Sequence, residues 1–291
     1  MFQAKEYVKP ASLEEAYRLC QKRSSVTVGG MMWLKMENVR KQTIVDLSDL
    51  GLDQIREDEK EFQIGAMVTL RMLETHEGLN KEFNGIFREC TRHIVGVQFR
   101  NGATVGGSVY GRFGFSDILT ALMALDTEVE LYQGGRMPLA EFAARTPKVT
   151  ERDILMYVYV KKDHRKAAYL SERRSSTDFP LLACCGAKTL WGWQFAVGAR
   201  PGRAEQVSLR IKDGQIERRL LGENGVCWTA VCGIPTDKKD SAEEALAEAA
   251  ASAFRYGTNL TGSGAYRAYL AKVLTGRLIR QIETGEESTD R

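Results

Sequence analysis

Two glycine pairs constrain this chain more than any other feature. Gly29-Gly30 follows the strand-like run Ser25–Val28, and Gly106-Gly107 follows Gln98-Phe99-Arg100-Asn101-Gly102-Ala103-Thr104-Val105. Glycine has no Cβ and tolerates positive φ, so a chain turning there can bring bare N–H groups against an anion. Successive N–H groups at such a turn, above all where a helix starts, form a nest suited to a diphosphate. Val28-Gly29-Gly30-Met31-Met32 has this form, leading into the short apolar segment Met31 to Met36. Thr104-Val105-Gly106-Gly107-Ser108 adds a hydroxyl at each end. Taken alone, a Gly-Gly pair is more often a plain turn than a ligand contact. Neither pair is a P-loop, because no lysine follows at the required place. Neither is G-x-G-x-x-G, so a Rossmann nucleotide site is not supported.

The rest of the sequence removes other classes. At 291 residues the chain can build two or three compact units, each with its own core. A formal charge of +3, with basic residues scattered in runs as short as Arg173-Arg174, argues against nucleic acid. No stretch is apolar enough to cross a membrane, and Met1–Pro10 lacks the apolar middle of a signal peptide, so the expected location is cytoplasmic. The six cysteines, Cys20, Cys90, Cys184, Cys185, Cys227 and Cys232, have no zinc or iron–sulfur spacing and read as reduced packing residues. His76, His93 and His164 fit no nucleophile or metal pattern and read as surface or packed groups. A chain without evident acid–base machinery suits a protein whose cofactor carries the reaction. Asp117, after Ser116, reads as a helix cap or as a carboxylate bonded to a ribityl or ribose hydroxyl; both can hold.

Periodicity predicts a helix after the Ser12/Glu15 capping box, strands at Ser25–Val28 and Gln42–Leu47, and a strand at Glu61–Gly65. Thr69 is placed to cap a helix, and a longer helix is predicted from Lys81 to Ile94. Phe99–Ser108 reads as a strand-poor, glycine-rich run. A helix through Ile118–Met123, a strand at Thr127–Tyr132, and strands at Ala183–Leu190, Gln206–Ile211 and Val226–Cys232 follow. Two helices close the chain. The first is capped by Ser241 and Glu244. The second runs from Gly264 to about Ile282, with Tyr266, Tyr269, Leu270, Val273, Leu274 and Leu278 expected on its buried side. The tail, Glu283–Arg291, is polar.

Together these segments resemble the FAD-binding medium subunit of the molybdenum hydroxylase family, which includes xanthine dehydrogenase and carbon monoxide dehydrogenase. The resemblance rests on Thr27-Val28-Gly29-Gly30-Met31, on Ile64-Gly65-Ala66-Met67-Val68-Thr69-Leu70, and most of all on Gln98 to Gly107. Asp117 to Val129, Ala196-Val197-Gly198-Ala199-Arg200-Pro201 and Ser263-Gly264-Ala265-Tyr266-Arg267 extend it over nearly the whole chain. The resemblance implies an α+β fold: a two-part FAD-binding region of the p-cresol methylhydroxylase (vanillyl-alcohol oxidase) type, then an α+β C-terminal domain. The expected boundaries are 1–58, 59–164 and 165–291.

By the same resemblance, Val28, Gly29, Gly30, Met31 and Met32, with Thr104, Gly106, Gly107 and Ser108, hold the FAD diphosphate through backbone N–H groups. Asp117 is the flavin-site aspartate, and Ile94 and Leu155 lie near the isoalloxazine. The implied partners are a molybdenum-cofactor large subunit and an iron–sulfur small subunit, with electrons leaving through FAD to NAD or another acceptor. Met31 stands where the family has a hydroxyl residue, Ser108 where it often has asparagine, Gly114 where it often has proline, and Leu170 where some members have a lysine near the flavin. Arg112 reads as solvated. Two rival readings are a self-contained flavin oxidase of a small molecule and a flavin-free assembly subunit.

Overall fold

The computed structural model describes residues 2–146, 152–222, 225–235 and 241–285. The chain opens with β1 (Gln3–Val8), α1 (Leu13–Cys20), β2 (Ser25–Val28) and β3 (Arg40–Asp46), which make a parallel sheet in the order β1-β3-β2. Ser12 caps α1 by accepting from the Glu15 N–H at 3.2 Å, and Glu15 reaches back to the Ala11 N–H at 2.8 Å. Each bond satisfies an amide that the helix itself leaves open. The buried Ala16 and Cys20 of α1 pack on Val45, Leu47, Ile154 and Met156.

The middle of the chain runs β4 (Ile55–Glu57), β5 (Glu61–Gly65), α2 (Leu70–Thr75), α3 (Glu77–Glu82), α4 (Ile86–Thr91), α5 (Val97–Gly102), α6 (Val105–Tyr110), α7 (Asp117–Met123), β6 (Thr127–Leu131), β7 (Gly135–Pro138), α8 (Leu139–Ala144) and β8 (Leu155–Lys161). Its strands form one antiparallel sheet, β4-β5-β8-β6-β7. Thr69 caps α2 through the Met72 N–H, 3.2 Å away. The single helix predicted over Lys81–Ile94 is two helices: Gly85, at φ 74°, breaks it between α3 and α4. The glycine-rich run is also helical, folding into α5 and α6.

The last third holds β9 (Lys166–Glu172), β10 (Leu182–Thr189), β11 (Gly192–Gly198), β12 (Glu205–Lys212), β13 (Gln215–Gly222) and β14 (Gly225–Gly233), then α9 (Ser241–Ser252) and α10 (Gly264–Thr284). The six strands form one antiparallel sheet in reverse chain order. Leu246, Leu270, Leu274, Leu278 and Ile282 of the two helices pack on Phe195, Val207 and Leu209 of that sheet. Each such buried side chain contributes roughly 1.5–3 kcal/mol of transfer free energy. The Ser241 side chain and residues 286–291 lie outside the described residues. One expectation fails here. Tyr266 and Tyr269 are 46% and 65% exposed, while Arg267 between them is buried. The guanidinium reaches carbonyls of Leu181 and Gly257 and the side chains of Asn259 and Thr261 at 2.6–2.9 Å. Those acceptors make burial of its charge tolerable and turn the tyrosines outward.

Candidate cofactor-binding site

A cavity of about 530 Å³ lies where β2, the α5–α6 junction, the start of α7 and segments 152–155 and 173–179 converge. All twelve residues singled out from the sequence line it. The two glycine turns form a single wall. A Cβ at Gly30 would sit 1.3 Å from the Gly102 carbonyl oxygen, and one at Gly29 2.4 Å from Thr104 Oγ1. The first pair therefore has to be glycine for the turns to touch, a reason that does not involve a ligand.

The turns differ in what they offer an anion. Among the described residues, the N–H groups of Gly30, Met31 and Met32 find no acceptor in the chain. Met31 adopts φ 56°, which bends this segment. The second turn corrects the expectation of a backbone nest. Val105 N–H donates to Val68 O at 2.9 Å, and Gly106 N–H to Ala66 O at 2.8 Å. Gly107 N–H is capped by Thr104 Oγ1 at 3.1 Å, and Ser108 N–H donates to Thr104 O. The Val105 and Gly106 amides hold α6 onto segment 66–68, and Ser108 Oγ donates to Thr104 O at 3.0 Å, so Thr104 Oγ1 can donate to a ligand and Ser108 Oγ can accept from one. Gly106 and Gly107 also separate. A Cβ at Gly106 would meet Ala66 O at 2.6 Å, whereas one at the exposed Gly107 meets only Thr104 Oγ1 at 3.2 Å.

One wall is aromatic. Trp33 contacts Phe99, Phe115 and Phe179 with ring centroids 5.0, 5.8 and 5.2 Å apart, and Phe115 lies 4.4 Å from Phe179. Ile94 belongs to this region, next to His93. The His93 Nδ1 lies 2.8 Å from Ser176 O, and burial lowers the basicity of the ring. His93 is thus part of the cavity wall rather than a surface group, while His76 caps α3 through the Leu79 N–H and His164 lies on the surface beside Glu82. Leu155 stands on another wall with Arg152 and Ile154. Arg152 there donates to the carbonyls of Lys22 and Ser25 at 2.9 and 3.1 Å.

Asp117 is the charged centre of the cavity wall. It is only 4% exposed and opens α7, but the helix cap is Ser116, which accepts from the Leu119 N–H at 3.1 Å. Its Oδ1 accepts from the Tyr169 hydroxyl and from Arg173 Nη2, the latter at 2.5 Å. Burial raises the Asp117 carboxyl above its ordinary value, and Arg173 and Tyr169 pull against that rise. Burial and the neighbouring carboxylate push the Tyr169 phenol well up. Arg173 also donates to the Asp178 carbonyl at 2.7 Å and to Ser171 Oγ at 3.1 Å. One guanidinium thus ties Asp117 to the segment that carries Phe179.

Tyr169 and Arg173 escape a sequence reading because they lie 52 and 56 residues from Asp117. Strand alternation is the signal that could have found them: Tyr169, Ser171 and Arg173 share one side of β9 and its extension. Leu170 points the other way, into the helix-covered core, and does not line the cavity. Arg112, expected to be solvated, is instead half-buried with its guanidinium 4.0 Å above the Phe142 ring.

A cavity with one free amide turn, an aromatic wall and few catalytic side chains suits a cofactor that carries both an anionic group and a planar ring. Residues 1–160 match the family described as FAD binding domain in molybdopterin dehydrogenase, and the chain belongs to that family. It is 25% identical to the medium subunit of nicotine 6-hydroxylase from Paenarthrobacter nicotinovorans, covering 96% of each chain. It is equally identical to Escherichia coli YgfM, which is described as uncharacterised, over 97% of this chain and 98% of that one. In fold it is similar to quinoline 2-oxidoreductase from Pseudomonas putida 86, at 20% identity, a TM-score of 0.77 and coverage of 98% and 99%. Carbon monoxide dehydrogenase from Hydrogenophaga pseudoflava, in a form lacking the Mo-pyranopterin moiety, aligns at 19% identity and a TM-score of 0.76 over 97% and 98%. The chain is a medium, FAD-binding subunit of the molybdenum hydroxylase type. Among the described residues no helix is long and apolar enough to cross a membrane.

Proposed function

We propose that this chain carries electrons between an iron–sulfur small subunit and NAD or another acceptor, in a cytoplasmic complex whose molybdenum large subunit oxidises the substrate. The observation that supports this most is the convergence of all twelve expected residues on one cavity, with three free amides at the end that would take an anion. The residues fit FAD. Gly30, Met31 and Met32 would hold the diphosphate by their N–H groups, with the hydroxyls of Thr104 and Ser108 beside them. Asp117 would accept from a hydroxyl of the sugar chain, and the wall of Trp33, Phe115, Phe179 and Ile94 offers apolar surface to a planar ring. When bound, FAD supplies the centre that takes electrons singly or in pairs. The chain's own part is to bind, orient and exclude water. In this reading residues 1–58 and 59–164 form an FAD region of the p-cresol methylhydroxylase type, with 165–291 as the α+β partner domain.

Purification of the chain tests the reading. One FAD per chain, released on denaturation, together with co-purifying molybdenum and iron–sulfur subunits, is expected. A flavin-loaded chain that oxidises a small molecule alone would mark it as a self-contained oxidase, and a colourless chain as an assembly subunit.

A further inference from the structure

Among the described residues six strands lie at the edges of the three sheets, and five of them are protected in the ways that keep natural sheets from pairing with other chains. β2 has four residues and lines the cavity, while β4 and β7 have three and four and carry Arg56, Glu57 and Arg136. β1 carries Lys5 and Glu6. β9 packs against α4 and α10, with only Lys166 exposed. The sixth edge is β14, nine residues long, and its sequence GVCWTAVCG holds no charge. The strands beside it, β12 and β13, carry Glu205, Arg210, Lys212, Glu217, Arg218 and Arg219. Every residue of β14 is exposed except Trp228, which is half-buried with the Arg210 guanidinium 4.4 Å from its ring centroid. Val226 and Val231 are 48% and 49% exposed.

β14 pairs within the chain with β13 alone, and among the described residues its outward N–H and C=O groups have no other backbone partner. The strand is regular from Gly225 to Ala230, before a bulge opposite Ile216 and Glu217. That regular stretch presents an open row about 20 Å long, at roughly 3.4 Å per residue. One more extended strand completes such a row. The absence of charge selects the occupant. A foreign strand is picked out by charge or by side-chain pockets, and β14 offers no charge to choose with. Antiparallel pairing with its own copy needs none. A two-fold axis sets the row against the identical row of the other chain, and no like charges meet across the seam. Val226, Trp228 and Thr229 are of the β-branched and aromatic types that strengthen cross-strand pairs. We propose that β14 is a self-association edge, at which two copies of this chain pair β14 to β14, antiparallel, and join their six-stranded sheets into one. No residue of β14 lines the cavity, so the pairing uses none of the groups that would hold a cofactor and stands apart from the electron-carrier reading.

The test uses the purified full chain under a thiol reductant, because Cys227 and Cys232 are exposed and free to form adventitious disulfides. Sedimentation over a range of concentrations is expected to show a reversible equilibrium between monomer and dimer. Hydrogen exchange at alternate amides of 225–230 is expected to be slower in concentrated than in dilute solution. Cys227→Lys combined with Thr229→Lys sets cations across the seam and should weaken the dimer at least tenfold, with the flavin content and the urea midpoint of the dilute chain unchanged. A chain that stays monomeric at every concentration would overturn the proposal, and so would a dimer that the two lysines do not weaken. Should the lysine pair unfold the chain, the wild-type exchange pattern decides alone: dimerisation that protects other amides and not those of 225–230 overturns the proposal. Protection of 225–230 by a different polypeptide, with the isolated chain monomeric, would give the edge to that polypeptide and overturn it as well.

Discussion

Replacing Arg173 by methionine isolates the charge at the centre of the site. Arg173 and Asp117 have side chains 7% and 5% exposed and meet at 2.5 Å. Methionine keeps most of the volume but leaves Asp117 buried with the Tyr169 hydroxyl as its side-chain partner. Breaking a buried pair from one side costs about 3–5 kcal/mol, since the remaining charge is uncompensated. At roughly 2–4 °C per kcal/mol, the melting temperature should fall by about 6–20 °C. The loss depends on pH with a definite sign. Burial already holds the Asp117 carboxyl above its ordinary value, and without Arg173 it rises further. A raised carboxyl contributes stability at low pH and loses it as the carboxyl ionises. The variant therefore escapes its penalty by protonating. The gap to wild type in urea midpoint should be wide at pH 8 and narrow towards pH 5. Asp117→Asn combined with Arg173→Met removes the stranded charge and should recover part of the loss at pH 8. A gap equal at both pH values, or a double variant weaker than the sum of the two singles, would refute the reasoning.

Three further outcomes follow from the same geometry. Gly107→Val should lower FAD retention at least tenfold with an unchanged urea midpoint, because its side chain enters the cavity; full flavin occupancy would show that the second turn does not face the cofactor. Gly106→Val should instead destabilise the fold by about 1–3 kcal/mol or more, since its side chain enters the Ala66 backbone, and a wild-type midpoint would contradict this. The neutral His93 ring accepts from Arg92 Nε at 2.9 Å, and burial lowers its basicity, so this contribution holds above the ordinary histidine value of about 6.5 and is lost as pH falls below it. The wild-type urea midpoint should therefore fall more between pH 7.5 and 5.5 than that of His93→Gln, and equal falls would contradict this.

The parts of the site that were legible in the sequence are those written in local chemistry. Gly29-Gly30 marks a turn because glycine punctuates wherever it sits, and Ser12 and Thr69 announce helices because caps act within three residues; the cap of α7 was read one residue late, at Asp117 instead of Ser116. Ser25–Val28 and Glu61–Gly65 appear with the predicted boundaries for the same reason. What stayed hidden depends on distant contacts. Arg173 is just one of 41 basic residues until the fold carries it to Asp117. The amides of Val105 and Gly106 look free until segment 66–68 arrives to take them. On α10 the tyrosines share the hydrophobic period, and only the carbonyls waiting around Arg267 show that the stripe begins one residue later. β1, β4, β7, β8, β9, β11 and β13 were not read at all, because their partners rather than their own patterns define them.

Gly30 resting on Gly102 has a mechanical consequence. At Gly30 and Gly102 the N-terminal layer and the middle of the chain meet backbone on backbone, so no rotamer change can loosen that contact. The cradle is then a rigid bracket and not a clamshell, and a cofactor entering it slides along a preset wall instead of drawing two halves together. Segment 173–179 adds Arg173, Thr177, Asp178 and Phe179 to the lining of that cradle.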